Sequence, residues 1–150
     1  MWHNQIPDWV TRKGDGSLVS DNTLYRNIFD HISSVAGRYS GKIKGWDVVN
    51  EAILDDGSYR ENDFYKISAD EYIFKSFEIA HKIDPNAELY YNDFSMYKPE
   101  KCDAAIRIAN KILERGLRID GIGLQAHWGL DYPSICLLYT SDAADESACV

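Results

Sequence analysis

Short apolar segments alternate with longer amphipathic segments along most of this chain. Segments 43–50, 87–92 and 121–125 are short and apolar, which predicts strands. The longer segments repeat apolar residues at three-to-four spacing, which is typical of helices that bury one face. Strands separated by helices of this length pair in parallel through right-handed crossovers. The alternation therefore predicts an α/β fold with a parallel sheet.

Three helices are predicted from these repeats. The first follows an Asp/Asn cap and covers 21–39, the second opens with a capping-box pattern at 68–71, and the third begins near Pro99. Their apolar stripes are Leu24, Ile28, Ile32, Val35 and Tyr39; Tyr72, Phe77, Ala80 and Ile83; and Ala105, Ile106, Ala109, Ile112 and Leu113. The expected stops are Gly41, Asp84-Pro85-Asn86 and Gly116. The polar segment 55–66 is predicted to be a loop.

Polar side chains follow each predicted strand at its carboxyl end. They are Asn50 and Glu51, Asn92 and Asp93, and Gln125 and His127. In parallel α/β proteins the ligand site lies at this end of the strands, whether the sheet is open or closed into a barrel. The sequence therefore predicts one polar site shared by the three strand ends.

Glu51 is the acidic residue best placed for catalysis. It comes directly after an apolar strand, where a half-buried carboxyl group is expected to have a raised pKa, as a general acid requires. A glutamate at a helix N-terminus, stabilised by the helix dipole or by an ion pair, explains the same position. Position alone leaves both interpretations open.

Composition narrows the classes of ligand. The net charge of −8 argues against nucleic acid, whose binding proteins usually carry a basic surface. Ten Tyr and four Trp are a weak indication of sugar binding. The sequence contains no apolar stretch of membrane-spanning length, and its three cysteines have neither metal-ligand spacing nor an even number for disulfides. We expect no nucleic acid, membrane, metal or cofactor.

Four motifs together resemble one enzyme family. Trp46-Asp47-Val48-Val49-Asn50-Glu51 is similar to the strand-four signature of the family 10 glycoside hydrolases, the endo-β-1,4-xylanases. Segments 2–5, 89–94 and 120–128 resemble the third, fifth and sixth strands of that family, in the same order. The resemblance covers about residues 1–134. It implies strands three to six of a (β/α)8 TIM barrel, roughly half of a fold that takes about 250 residues.

The resemblance also implies roles for individual residues. Glu51 would be the general acid/base, and Asn50 would bind the 2-hydroxyl group of the sugar at the cleavage site. Trp2 and Gln5 would shape the glycone side, Asn92 and Phe94 the acid/base side, and Gln125 and His127 would stand beside the nucleophile. Trp128 is also expected to bind substrate. Supporting hydrogen bonds are expected from His3, Asp47 and Asp93. Phe94 departs from the tyrosine that many relatives have, which removes a hydroxyl group from the leaving-group side.

Several of these residues have simpler explanations. Trp2, Trp9 and Trp46 could fill the core. His3 could be a strand histidine with its ring bonded to backbone, and Asp93 a structural hydrogen-bond acceptor. Strand alternation requires that one of Tyr90 and Tyr91 belong to the core.

The resemblance is incomplete. Retaining glycosidases use two carboxylates about 5–5.5 Å apart. The nucleophilic glutamate of the family lies in a Thr-Glu-Leu-Asp-like segment, which is not found here, and Glu146 does not resemble it. We therefore expect this chain to be inactive alone. Residues 135–150 show neither helical nor strand periodicity and are interpreted as a foreign tail.

Two other functions remain compatible with the residues. A metal-dependent barrel hydrolase could use His3, His127, Asp93 and Glu51 as ligands, although closely spaced histidine pairs are absent from the sequence. A non-catalytic carbohydrate-binding module would use surface aromatic rings without a catalytic acid. The family resemblance instead implies xylan or xylo-oligosaccharide as substrate, no obligate protein partner, and secretion.

Overall fold

The computed structural model describes residues 1–129. Three parallel strands alternate with four α-helices, and a short 3-10 helix at Asp8–Val10 precedes them. In chain order the elements are α1 (Asp21–Tyr39), β1 (Gly45–Asn50), α2 (Asp63–Ser68), α3 (Glu71–Ile83), β2 (Glu88–Phe94), α4 (Pro99–Glu114) and β3 (Gly121–Gln125). The predicted segment 135–150 lies outside the described residues.

The sheet has the order β1-β2-β3 and all its pairs are parallel, as predicted. Asn50 lies opposite Asn92, and Asn92 lies opposite Gly123. Trp2 forms a parallel bridge to Asn50, so the start of the chain continues the sheet beyond β1. Neighbouring strands follow one another in sequence, as they do in a β/α barrel.

One face of the sheet packs against the helices. Along β2, Leu89, Tyr91 and Asp93 are fully buried, whereas the residues between them are half-buried. We call the helix-covered face the back face and the opposite face, which carries Asn92, the front face. Tyr91 is the core tyrosine and Tyr90 is not, so the expected division of the pair is confirmed.

Helix α1 has the predicted bounds but buries a narrower stripe. Its buried residues are Leu24, Ile28, Ile32 and Ala36. Val35 and Tyr39 are 40% and 43% exposed, so their assignment to the buried stripe was wrong. The buried residues form a single i, i+4 row that ends at Ala36, and α1 packs against α3. The predicted Asp/Asn cap was also wrong, because Ser20 accepts the hydrogen bond from the Thr23 amide.

The prediction of a loop over 55–66 was wrong at its end, where α2 begins at Asp63. Asn62 caps this helix by accepting from the Tyr65 amide, and Phe64 anchors it in the core. The predicted capping box at 68–71 does not form. The Ser68 hydroxyl instead donates to the carbonyl of Phe64, four residues earlier in α2.

Helix α4 begins at Pro99 and ends before the left-handed Gly116, as predicted. Its buried residues are Lys101, Ala104, Ala105, Ile108 and Ile112. Leu113 is 56% exposed, which corrects its predicted place in the stripe. None of the helices within residues 1–129 combines the length and apolarity that a membrane span requires.

Candidate active site

Glu51 lies immediately beyond the carboxyl end of β1. Its amide donates to the Asn92 carbonyl at 2.9 Å, and its own carbonyl accepts from Arg60 Nε at 3.1 Å. The backbone φ of Glu51 is +57°, a left-handed conformation that is unusual outside glycine. Such conformations persist where surrounding contacts enforce them and are concentrated at functional sites.

Three donors hold the Glu51 carboxylate. Trp2 Nε1 donates to Oε2 at 3.0 Å. Asn50 Nδ2 and Gln125 Nε2 each donate to Oε1 at 3.2 Å. Residues from three separate parts of the chain therefore converge on one carboxyl group, and all of them favour its charged form.

Amide side chains connect the strand ends around Glu51. Asn50 Oδ1 accepts from Asn92 Nδ2 at 2.9 Å and from Gln125 Nε2 at 2.8 Å. Gly123 leaves room for this arrangement, since a Cβ atom there would lie 2.5 Å from Asn92 Oδ1. His127 Nε2 lies 2.9 Å from Gln125 Oε1 and extends the network into solvent. We refer to Trp2, Asn50, Glu51, Asn92, Gln125 and His127 as the front-face cluster.

The expected rise in the pKa of Glu51 was wrong. Burial is the largest single influence and does raise this pKa. Hydrogen bonds from Trp2, Gln125 and Asn50, with the nearby His3, together outweigh burial and leave the pKa below its ordinary value. Periodicity could not reveal two of these contacts, because Trp2 and Gln125 lie 49 and 74 positions from Glu51.

Four other residues named from the sequence are exposed, and none of them is among the three donors to the Glu51 carboxylate. Gln5 is exposed and has a left-handed backbone, with φ +56°. Trp128 is 46% exposed, and Asp47 is exposed on β1 beside Met1 and Trp46. Trp9 is 66% exposed, so the suggestion that it fills the core was wrong.

His3 is partly buried next to the front-face cluster. Its ring meets the Trp2 ring edge-on at 6.4 Å between centroids. Burial and the positive charge of Arg60 lower the pKa of His3. The buried Nδ1 atom has no hydrogen-bond partner within residues 1–129, so the interpretation of a ring bonded to backbone was wrong for this nitrogen.

Asp93 belongs to a separate buried network on the back face. Its Oδ1 atom lies 2.9 Å from Lys101 Nζ, and both side chains are 0% exposed. Its Oδ2 atom accepts from the Tyr91 hydroxyl at 2.5 Å, and that hydroxyl accepts from the Ala52 amide at 3.1 Å. We call Tyr91, Asp93 and Lys101 the back-face network.

Sequence reasoning missed Lys101 entirely. A signal was present, because Lys101 occupies the i−4 position of the row that continues through Ala105, and a lysine on a buried stripe requires a partner. Tyr91 was recognised only as a core residue.

The four residues of the metal hypothesis do not form a ligand set. Asp93 faces the helices and pairs with Lys101, whereas Glu51 is bonded to the front-face amides. Within the described part of the chain, no group of three or more His, Cys, Asp or Glu side chains could hold a metal ion.

Comparison with known proteins assigns this arrangement to a family. A profile of glycosyl hydrolase family 10 matches residues 1–141. Endo-1,4-beta-xylanase A of Xylanibacter ruminicola is 46% identical over 135 residues, which cover 90% of this chain and 37% of that protein.

Solved structures of family 10 xylanases also resemble this chain. A family 10 endoxylanase from a sugarcane soil metagenome is 38% identical, with a TM-score of 0.91 over 99% of this chain and 44% of the other. A xylanase of Thermoanaerobacterium saccharolyticum, solved as a mutant with xylotetraose, is 33% identical, with a TM-score of 0.86 over 93% of this chain and 46% of the other. This chain thus spans less than half the length of these relatives. Its three parallel strands are part of a TIM barrel, and the chain belongs to glycosyl hydrolase family 10.

Proposed function

We propose that this chain forms part of a retaining endo-β-1,4-xylanase in which Glu51 is the general acid/base. The observation that carries the proposal is the convergence of Trp2, Asn50 and Gln125 on the Glu51 carboxylate at the carboxyl end of parallel strands. In TIM-barrel enzymes the catalytic groups project from this end. The names of the relatives supply the substrate class, xylan.

The proposed chemistry has two steps. Glu51 first donates its proton to the departing glycosidic oxygen while a second carboxylate attacks the sugar. The ionised Glu51 then removes a proton from water, which releases the sugar from the enzyme. The family resemblance gives Asn50 the role of binding the sugar 2-hydroxyl, and its amide lies 3.2 Å from the Glu51 carboxylate.

The front-face cluster contains a single carboxylate, whereas a retaining mechanism needs two. We propose that the nucleophile comes from a part of the barrel that the relatives have and this chain does not match. Xylan hydrolysis by the 150-residue chain alone is therefore not expected.

The proposed xylan substrate agrees with the xylotetraose bound by the Thermoanaerobacterium relative. The half-buried amides of the front-face cluster can exchange their mutual hydrogen bonds for bonds to sugar hydroxyl groups. Metal, cofactor and protein partner have no part in the proposed reaction.

A chimaera tests the proposal. Residues 1–129 replace the matching segment of the Xylanibacter ruminicola xylanase, and the remaining barrel comes from that enzyme. The unchanged chimaera should hydrolyse xylan. Glu51→Gln should lower kcat/KM for xylan by roughly 10²- to 10⁴-fold, the usual contribution of general acid–base catalysis, while xylan binding is retained.

Glu114→Gln is the matched control, since Glu114 is exposed at the end of α4. It should leave hydrolysis unchanged. Equal activity of the Glu51 and Glu114 variants would reject the acid/base role. An unchanged chimaera that folds and binds xylan without cleaving it would instead favour a binding function.

A further inference from the structure

The back-face network reaches the peptide bond next to Glu51. The Ala52 amide donates to the Tyr91 hydroxyl at 3.1 Å, and Ala52 is 1% exposed. The same hydroxyl donates to Asp93 at 2.5 Å. A buried ion pair with Lys101 then compensates the charge of Asp93. One continuous chain of contacts thus joins α4 to the residue that follows Glu51.

The backbone at Glu51 requires such support. A left-handed conformation is unfavourable for a residue with a Cβ atom, and Glu51 has φ +57°. The Glu51 amide donates to the backbone carbonyl of Asn92 on the neighbouring strand, and the following amide, that of Ala52, donates to the Tyr91 hydroxyl. Two consecutive amides are thus held, one by the neighbouring strand and one by the back-face network.

Charge and burial explain why this network can act as a rigid support. Burial, and then the negative charge of Asp93, raise the pKa of Tyr91, so its hydroxyl stays protonated. A protonated phenol can donate to Asp93 and accept from Ala52 at the same time. Lys101 also lies 3.6 Å from the centroid of the Phe94 ring and 3.3 Å from Asp55, in the loop after Glu51. A fully paired network of this kind has few alternative arrangements.

We propose that Tyr91, Asp93 and Lys101 are positioning residues for the Glu51 carboxylate, because they fix the Ala52 amide and with it the left-handed backbone that points Glu51 at the front-face donors. The importance of the back-face network for catalysis rests on the proposed acid/base role of Glu51. The geometric claim, that the back-face network sets the orientation of this side chain, is independent of activity.

The test compares two tyrosine-to-phenylalanine variants of the 150-residue chain by NMR. Tyr91→Phe removes the hydroxyl that bonds Ala52. Tyr90→Phe is the matched control, since its hydroxyl bonds Glu88 at the other end of β2. Two quantities are measured in each variant: the hydrogen-exchange rate of the Ala52 amide and the pKa of the Glu51 carboxyl group.

Tyr91→Phe should accelerate Ala52 exchange by roughly 3- to 10-fold beyond any change at the core Leu89 amide, which corresponds to the loss of one hydrogen bond. The Glu51 pKa should rise toward its ordinary value, because the bonds from Trp2, Asn50 and Gln125 relax. Tyr90→Phe should change neither quantity. A structural role alone would alter all sheet amides together and leave the Glu51 pKa unchanged, and that result would overturn the proposal.

Asp93→Glu supplies a second test if Tyr91→Phe fails to fold. This variant keeps a carboxylate to pair with Lys101 and displaces it from the Tyr91 hydroxyl, so both effects should appear in the same direction. An Ala52 exchange rate and a Glu51 pKa equal to those of the unchanged chain would again overturn the proposal. Loss of the acid/base role in the chimaera would leave these NMR results unaffected, so the two proposals fail separately.

Discussion

The two faces of the sheet satisfy their polar groups in different ways at the same strand ends. On the front face, half-buried amides bond to one another and to Glu51 within reach of solvent. On the back face, Asp93 and Lys101 are fully buried and bond to Tyr91 and to each other. Polar groups on the front face can exchange partners with a ligand, whereas Asp93 and Lys101 on the back face are shielded from the water that could replace a lost partner.

Because of this contrast, substitutions on the two faces should differ in their effect on the free energy of unfolding. A buried charge that loses its partner is strongly destabilising, because the desolvation penalty remains. A half-buried amide that loses its partner can bond to water. Substitutions on the back face should therefore alter the free energy of unfolding most, and those on the front face should alter the properties of Glu51.

The largest expected effect on stability is at Lys101. Lys101→Met leaves Asp93 as a buried, unpaired charge and should lower the free energy of unfolding by about 3–5 kcal/mol. Urea denaturation of the chain measures this change. Lys82→Met is the control, because Lys82 forms an exposed pair with Glu78 and should cost about 0.5 kcal/mol. Similar losses in both variants would contradict the distinction between the faces.

Asn50→Ala should have a smaller effect on stability and a clear one on Glu51. The free energy of unfolding should fall by about 1 kcal/mol or less, because Asn50 is half-buried. The pKa of Glu51 should rise, since one of the donors to Oε1 is removed. Urea denaturation and a carboxyl ¹³C titration give the two values. If Asn50→Ala caused a large loss of stability and left the pKa of Glu51 unchanged, the distinction between the two faces would be contradicted.

The pH dependence of Glu51 gives the smallest effect. Its pKa is lower in the folded chain than its ordinary value, so the stabilisation it contributes is present above the ordinary value and is lost as pH falls through the folded pKa. In the chimaera, a second carboxylate near Glu51 should raise this pKa above that of the isolated chain. Carboxyl ¹³C titrations of both proteins test the difference, and equal pKa values would argue against a neighbouring carboxylate.

The sequence was most informative where periodicity determines structure. Alternating strands and helices correctly predicted the parallel order, and the position of Asn50, Asn92 and Gln125 at strand ends correctly predicted that they meet. Helix α2 was missed because it is only six residues long and a single buried residue, Phe64, anchors it. Periodicity cannot reveal so short an element.

The details of the site depended on contacts between distant residues. The pKa of Glu51 was predicted in the wrong direction because burial can be inferred from one strand, whereas the donors Trp2 and Gln125 lie 49 and 74 positions away. The pairing of Lys101 with Asp93 was hidden for the same reason, since the two residues belong to different elements, although a lysine on a buried helix stripe already indicated a partner. Residue type and local pattern locate a site, and tertiary contacts determine its electrostatics.

The most direct measurement of the proposed acid/base role is chemical rescue of Glu51→Ala in the chimaera. With an aryl xylobioside whose leaving group needs no protonation, this variant should still form the glycosyl-enzyme, and azide should accelerate its release as a β-xylobiosyl azide. The unchanged chimaera should show no acceleration, because its Glu51 carboxylate activates water. Turnover of Glu51→Ala on xylan at the rate of the unchanged chimaera, without any effect of azide, would contradict the account.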